Sequence, residues 1–309
     1  MAMIRCRESF VFLNKNSLFI LQALHLKRMA DIEAIKKYYS STQFEYKLIW
    51  NWRLKTTPAL HFGYYDEKAT NHAQAVVRAN ESLAEWANIQ PGSRIVDAGC
   101  GLGHSAIWLA ERYNSHVTGI TVVPKQVETI QKNLAKQPVP HVDFAIANYL
   151  NMPFEDSSLD VIWAFESVCH AAHKIDFYKE AYRVLKPGGM IVMAEYLRNA
   201  RPMTPPQEKL LTEIFERWAI PDLDTLKEHE HNAALAGFSS FRNNDVTRHV
   251  IKSYRNLRET CRRYEGLSKF LWKIGVISKL RHNNLLSSAR QADAIEQGVF
   301  SYHHIVAVK

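Results

Sequence analysis

Hydrophobic positions change their spacing twice along this chain. Between about 31 and 90 apolar and aromatic residues recur at helical spacing, and the stretch from Asn71 to Ala87 carries Ala75, Ala79, Leu83 and Trp86 near one face. Pro91-Gly92 ends that pattern. From Arg94 to Glu195 short apolar runs alternate with helical stretches. Strands are predicted at 94–98, 116–121, 142–147, 159–166 and 190–195, and helices at 104–113, 124–136 and 175–185. The third of these helices places Phe177, Ala181 and Leu185 four apart and is expected to stop at Lys186-Pro187-Gly188-Gly189. Arg201-Pro202 and Pro205-Pro206 mark a second change. Helices follow at about 207–217 and 225–236, then a strand at 238–247, a helical block from about 250 to 297, and a final strand over Tyr302–Val308.

Alternation of strand and helix at this spacing builds an α/β fold with a doubly wound, mainly parallel sheet and right-handed crossovers. Ligands in such sheets sit beyond the carboxyl ends of the strands, near the point where strand order reverses. The chain divides into an extension (1–28), a helical N-terminal lid (29–90), a core (91–247), a helical cap insertion (248–298) and a last core strand (299–309). The lid is rich in rings: Tyr38, Tyr39, Phe44, Tyr46, Trp50, Trp52, Phe62, Tyr64 and Tyr65.

Composition narrows the class. The chain has 309 residues, 47% hydrophobic and 23% charged, as in an ordinary globular enzyme. Cys6, Cys100, Cys169 and Cys261 are scattered with no Cys-x-x-Cys pair, which points to a reducing, cytoplasmic setting and away from a zinc site. No apolar run reaches the roughly 18 residues that span a bilayer, so no stable membrane insertion is expected. Phe10-Val11-Phe12-Leu13 and Leu18-Phe19-Ile20-Leu21 are interrupted by Asn14-Lys15-Asn16 and lack a small-residue cleavage site, unlike a secretory signal. Met29-Ala30-Asp31-Ile32-Glu33 reads as a more typical start, with residues 1–28 an extension, disordered or helical.

The charge is uneven. The whole chain carries +8, yet Arg242 to Arg290 holds twelve Lys and Arg against Asp245, Glu259 and Glu265, an excess of nine. Such a block meets nucleic acid, an acidic membrane or a phosphorylated small molecule, or is a solvated helix face.

Candidate chemistry centres on Arg94-Ile95-Val96-Asp97-Ala98-Gly99-Cys100-Gly101-Leu102-Gly103-His104. An apolar strand ends in an acid, three glycines follow at alternate positions, and a helix begins. Glycine turns of this kind let the backbone approach a ligand beside free N–H groups at a helix start. A dinucleotide site would place its third glycine where His104 stands, and an acid at the end of the second strand. That strand ends Gly119-Ile120-Thr121, with no acid, which counts against a dehydrogenase.

Val96-Asp97-Ala98-Gly99-Cys100-Gly101-Leu102-Gly103 resembles the first motif of class I S-adenosylmethionine-dependent methyltransferases. Val117–Gln126, Trp163–His170 and Leu185–Gly189 resemble motifs of a narrower group, the sterol, tocopherol and prenyl-diphosphate C-methyltransferases, related to cyclopropane fatty acid synthases. The resemblance runs from about Tyr39 to the C-terminus. It implies a seven-stranded Rossmann-like sheet and S-adenosylmethionine as cofactor. Gly99, Gly101 and Gly103 then leave room for the methionine part, and Asp97 fixes its ammonium, or else only braces the turn. Thr121 and Gln126 stand where an acid is usual and are placed to bond the ribose hydroxyls; helix capping is the plainer role for them. Asn148 stands where the family has Asp before Tyr149 and Leu150, offering adenine an amide oxygen, while Tyr149 flanks the ring or simply packs. Tyr39 is counted with these cofactor residues.

Methyl transfer from a sulfonium is an in-line displacement that needs alignment and a dry pocket. Glu166 ends an apolar strand, and burial there raises a carboxyl's pKa, which suits a base; otherwise it is a structural acid in a salt bridge. His170 and His173 follow at i+4 and i+7, a spacing too bare to argue for a metal, so no protein-held metal is expected and His170 reads as a hydrogen-bonding or base-assisting residue. His61, Tyr64 and Tyr65 lie on a predicted loop and are candidates to hold substrate. Arg255 and Arg258, with Arg262 and Arg263 on one helix, suit a diphosphate, with Mg2+ held through the substrate's phosphates.

The leading expectation is C-methylation of an isoprenoid alkene, with a prenyl diphosphate as acceptor and a carbocation that is deprotonated or cyclised. The alternatives are an O- or N-methyltransferase of a natural product, a sterol- or tocopherol-type enzyme, a nucleic-acid methyltransferase, and a non-catalytic cofactor-binding protein. Asn151-Met152-Pro153-Phe154 does not match the Asn-Pro-Pro-Tyr type of base-flipping motif, so nucleic acid is not expected as partner. An oligomer is left open.

Overall fold

The computed structural model describes residues 3–6, 9–12, 32–40 and 59–309. The lid's Phe44, Tyr46, Trp50 and Trp52, and the extension beyond residue 12, lie outside the described residues. Within the extension, β1 (Met3–Cys6) and β2 (Ser9–Phe12) pair antiparallel rather than forming helix. The β-branched and aromatic run Phe10-Val11-Phe12 favours that outcome.

Seven strands make the central sheet: β3 (Arg94–Ala98), β4 (His116–Thr121), β5 (Val142–Ile146), β6 (Leu159–Phe165), β7 (Leu185–Arg198), β8 (Ser240–Asp245) and β9 (Phe300–Val308). Their order is β5-β4-β3-β6-β7-β9-β8. β3 pairs in parallel with β4 on one side and β6 on the other, while β9 lies antiparallel between β7 and β8. The chain steps outward from β3 through β4 to β5 and then returns to the far side of β3. That reversal leaves a crevice beyond the carboxyl ends of β3 and β6.

β3 and β6 are central, so they are apolar on both faces. Ile95, Val96, Ile162, Trp163 and Ala164 are all buried. Helices α3 (His104–Tyr113), α4 (Pro124–Leu134) and α5 (Lys174–Val184) are the crossovers. The loop before α2 (His72–Ala87) leads into a full capping box on Asn71 and Gln74. After β7 come α6 (Pro205–Phe215) and α7 (Leu226–Ala236).

Helix α5 ends at Val184 with Leu185 as its C-cap, so it stops just before Lys186-Pro187-Gly188-Gly189 as expected; β7, however, begins at Leu185 rather than at 190 and takes these four residues in. They form a bulge: Leu159 pairs with Leu185, and the ladder resumes at Val161 with Met190. Gly188 takes φ +78°, open only to glycine without strain, and Pro187 gives up no N–H the ladder needs there.

Between β8 and β9 the chain inserts a helical hairpin, α8 (Thr247–Lys273) and α9 (Lys279–Glu296). The first half of α8 packs on the core through Val250, Tyr254, Leu257 and Cys261. A lid helix α1 (32–40) lies against α9, where the Tyr38 hydroxyl donates to Asn284 Oδ1 at 3.2 Å. The expected lid and cap therefore meet each other as well as the core.

Candidate active site

A cavity opens at the crevice between β3 and β6. Asp97, Gly99, Cys100 and Gly101 form its floor, with Thr121, Gln126, Asn148 and Tyr149 on one side. Phe165, Glu166, Ser167, His170 and His173 line the other, and Ile32, Ile35, Tyr39, Leu60 and His61 close it from the lid.

The floor depends on backbone that only glycine tolerates. Gly99 has φ +93°, and a Cβ there would lie 2.5 Å from Cβ of Ser167. That close approach lets the Ser167 hydroxyl donate to the Ala98 carbonyl at 2.5 Å, tying the ends of β3 and β6 together. Gly103 does not line the cavity; with φ 82° it is the N-cap of α3. The helix has no side-chain cap from that residue, and Asp97 takes over by accepting the Ala106 N–H. Asp97 is buried, its pKa is pushed up to about 7 by desolvation, and its Oδ2 has no hydrogen-bond partner among the described residues. A buried, unsatisfied acceptor beside a glycine turn suits a ligand cation.

At the next rim, the Thr121 hydroxyl donates to Gln126 Oε1 at 2.7 Å and accepts the Val123 N–H at 3.2 Å. The two side chains therefore act as one unit, and Thr121 also caps the entry to α4. Asn148 Oδ1 accepts the Leu150 N–H at 2.9 Å, an Asx turn that fixes the amide. The Tyr149 hydroxyl donates to the Ser167 carbonyl at 3.0 Å, and its ring meets Phe177 edge-on.

Glu166 is the most unusual residue of the site. It follows β6 with φ 49°, a left-handed conformation uncommon for a non-glycine residue and costly by about 1–3 kcal/mol. That turn aims its carboxyl into the cavity instead of along the strand. Oε1 accepts the Phe62 N–H at 2.9 Å and the Tyr302 hydroxyl at 2.6 Å. Both bonds fall on one oxygen, so Oε2 remains to meet a proton. Burial raises the Glu166 pKa to about 8, against the lowering effect of those two donors.

His170 sits in a single 3₁₀ turn (Val168–His170). Its Nδ1 lies 3.0 Å from the Ala219 carbonyl, which can only accept, so Nδ1 carries the proton. Nε2 must then accept from the Tyr39 hydroxyl at 3.0 Å. Burial lowers the His170 pKa to about 4, so the ring is neutral. This corrects the base-assisting role: Nε2 is already engaged and poorly basic. Below the turn, buried Glu195 accepts the Cys169 N–H at 2.9 Å, and Lys174 donates to the carbonyls of Cys169, Ala171 and Asp222. These two buried charges fix the turn rather than facing the cavity.

On the lid, the His61 ring lies tilted against Phe165 with centroids 4.2 Å apart and is held below its ordinary pKa, at about 4, by burial. Its Nε2 has no hydrogen-bond partner among the described residues, although it lines the cavity. Tyr64 and Tyr65 point elsewhere. Tyr64 stacks on His249 at 4.3 Å, and Tyr65 lies between His72, Asn256 and Lys252. Neither lines the cavity: the backbone at Gly63 and Tyr65 is bonded to Ser253 and His249 of α8, and the two rings lie against that helix.

Arg255 and Arg258 are also displaced from the expected role. Arg255 pairs with Glu296 at 2.6 Å, and Arg258 with Asp293 at 2.8 Å and Glu296 at 2.6 Å. They bind α8 to α9, and neither lines the cavity. No lysine or arginine is among the lining residues described. Nor does any group of three or more His, Cys, Asp or Glu among the described residues assemble to hold a metal.

Sequence reasoning missed Tyr302, the Phe62 N–H, Ser167 and Leu60. Tyr302 lies 136 residues from Glu166 and reaches it only because β9 is threaded next to β7. The one local signal was its place in an alternating terminal strand.

Comparison with known proteins finds methyltransferases. Residues 96–193 match the model of a methyltransferase domain. The chain is 32% identical over 211 residues to 27-O-demethylrifamycin SV methyltransferase of Amycolatopsis mediterranei, covering 67% of this chain and 75% of that protein. It is 30% identical over 186 residues to 2-methyl-6-phytyl-1,4-hydroquinone methyltransferase of a Synechocystis species, covering 58% of each. In fold it is similar to geranyl diphosphate C-methyltransferase of Streptomyces coelicolor, with a TM-score of 0.69, 18% identity, and coverage of 90% of this chain and 97% of that one.

Proposed function

The chain belongs to the class I S-adenosylmethionine-dependent methyltransferases, and from that premise we propose that it methylates an uncharged, lipophilic acceptor of the isoprenoid or phenolic kind. The observation that carries this choice of acceptor is the cavity's charge. Its described lining holds Asp97, Glu166 and Asp176 and no Lys or Arg. A prenyl diphosphate needs cations around its phosphates, and Arg255 and Arg258, expected to supply them, are paired with acids on α9. The similarity to the hydroquinone methyltransferase supports an uncharged ring-bearing lipophile, while the likeness to the geranyl diphosphate enzyme is one of fold.

The residues present fit the cofactor. Asp97, with its unsatisfied Oδ2, would hold the ammonium; the Thr121–Gln126 unit would meet the ribose; Asn148 and Tyr149 would border the adenine. When bound, the cofactor supplies an electrophilic methyl group on a sulfonium.

The chain's own groups then govern the acceptor. Glu166 Oε2 takes the proton that the acceptor loses as the new bond to the methyl carbon forms and the sulfur–carbon bond breaks. Its raised pKa makes it a stronger base than an exposed carboxylate, and Tyr302 and Phe62 hold it still. Neutral His61 and the Tyr39–His170 pair offer hydrogen bonds without adding charge. Leu60, Ile32, Ile35 and Phe165 supply the apolar wall that excludes water.

A labelled methyl-transfer screen tests the proposal. It compares a sterol, a prenylated hydroquinone, simple phenols, and geranyl and farnesyl diphosphates. Turnover of the uncharged lipophiles is expected; turnover confined to the diphosphates overturns the assignment of the acceptor.

A further inference from the structure

Seven large hydrophobic residues are markedly exposed among the described residues, and five of them lie together: Leu267, Phe270, Ile274, Val276 and Leu280. They sit on the tip of the α8–α9 hairpin. Phe270 is 58% exposed and Val276 62%. Of the last twelve residues of α8 only Ser268 is buried, so the helix projects past the core from about Arg262. Leu267, Phe270 and Ile274 fall at i, i+3 and i+7, one stripe along the helix. Trp272 and Ser268 face the other way, onto His282 of α9. The stripe is thus a formed surface on a packed hairpin rather than a frayed end.

Lysines flank the stripe. Lys269, Lys273 and Lys279 are exposed, and none forms an ion pair among the described residues, in contrast to Arg255 and Arg258 further back. Glu265 is the one acid between Arg262 and Arg281. Apolar side chains ringed by cations match a bilayer boundary with anionic head groups. No helix of the described residues is long and apolar enough to cross a membrane.

We propose that the tip of this hairpin docks the protein on an anionic lipid bilayer. Leu267, Phe270, Ile274 and Val276 enter the boundary between head groups and acyl chains, and Lys269, Lys273 and Lys279 meet the lipid phosphates. The hairpin also touches the lid helix α1 through Tyr38 and Asn284, and α1 lines the active cavity. Docking therefore brings the lid side of the cavity near the lipid in which a lipophilic acceptor dissolves. The docking surface itself stands independently of the acceptor proposed above.

Vesicle co-sedimentation of the full chain tests this, with phosphatidylcholine vesicles and with vesicles containing phosphatidylglycerol, at low and high salt. Binding is expected to the anionic vesicles, weakened by salt. Phe270→Glu with Ile274→Glu should abolish it, and each Lys→Ala at 269, 273 or 279 should weaken it roughly fivefold. All these side chains are exposed, so melting temperature and methyl transfer to a water-dispersed acceptor should match the parent chain. No binding by the parent chain, or full binding by the Phe270/Ile274 variant, overturns the proposal. So does self-association that the variant abolishes while vesicles are ignored, or salt-dependent retention on DNA that the variant leaves intact with no vesicle binding.

Discussion

The cavity rim and the helical hairpin carry opposite chemistry within one basic chain. Among the described residues the rim gathers three acids, the neutral rings of His61 and His170, and apolar walls, while the hairpin carries nearly the whole positive excess and spends much of it on pairing with itself and its surroundings. Charge density along a sequence therefore says little about the charge at its active site. Cations held at the surface cost little to solvate, whereas Asp97 and Glu166 at the rim are raised in pKa by burial and are held by backbone and hydroxyl donors.

The largest expected effect separates the two regions outright. Glu166→Gln should lower kcat by about 10²–10⁴-fold, the range for a general base, while S-adenosylhomocysteine binding measured by calorimetry is unchanged. If binding were lost and single-turnover chemistry preserved, Glu166 would belong to the cofactor and the assignment would break.

Asp97→Asn comes next. Loss of a charge-assisted partner for the ammonium should weaken cofactor binding by roughly 10–100-fold, with kcat at saturating cofactor far less affected. Unchanged affinity would make Asp97 only the brace of α3.

The pH dependence sharpens the rim's side of the contrast. With a Glu166 pKa of about 8, kcat/KM should rise with pH and level off above that value. Stability should run the other way. An acid whose folded pKa lies above its unfolded value holds its proton longer in the folded state, so its contribution is full below about pH 4.5 and is lost as pH rises through about 8. Glu166→Gln should therefore melt higher than the parent chain at pH 9, and the gap should close in acid. A thermal melt series on both proteins checks this.

The smallest effect belongs to the hairpin. Replacing Arg255 and Arg258 by Gln removes partly exposed ion pairs worth about 1 kcal/mol or less each, and KM for the acceptor should stay within about twofold. A large rise in KM for a diphosphate acceptor would restore those residues to the site.

The strands and crossovers of the core were legible because central parallel strands must be apolar on both faces, and glycine turns announce themselves. Asp97, Gly99 and Glu166 were legible for the same reason: each ends an apolar run. The end of α5 before Lys186–Gly189 was legible, but the early start of β7 was not, because Pro and Gly mark a bulge within a strand as readily as a helix end. Tyr64 and Tyr65 were misplaced because backbone bonds from this loop to Ser253 and His249, nearly two hundred residues on, decide which rings face the cavity, and sequence spacing does not contain them. Arg255 and Arg258 were misread because their partners, Asp293 and Glu296, sit on a separate helix more than thirty residues away.

Strand β9 has a consequence in time as well as in space. It follows every other described strand in the chain, yet it fills the slot between β7 and β8 and brings the hydroxyl that steadies Glu166. A ribosome needs on the order of ten seconds to travel the 136 residues separating that glutamate from Tyr302. Throughout that interval the emerging chain has a cofactor turn but an open β7 edge and an unsupported base. An unpaired edge of that kind is a template for wrong pairing until β9 arrives to cover it.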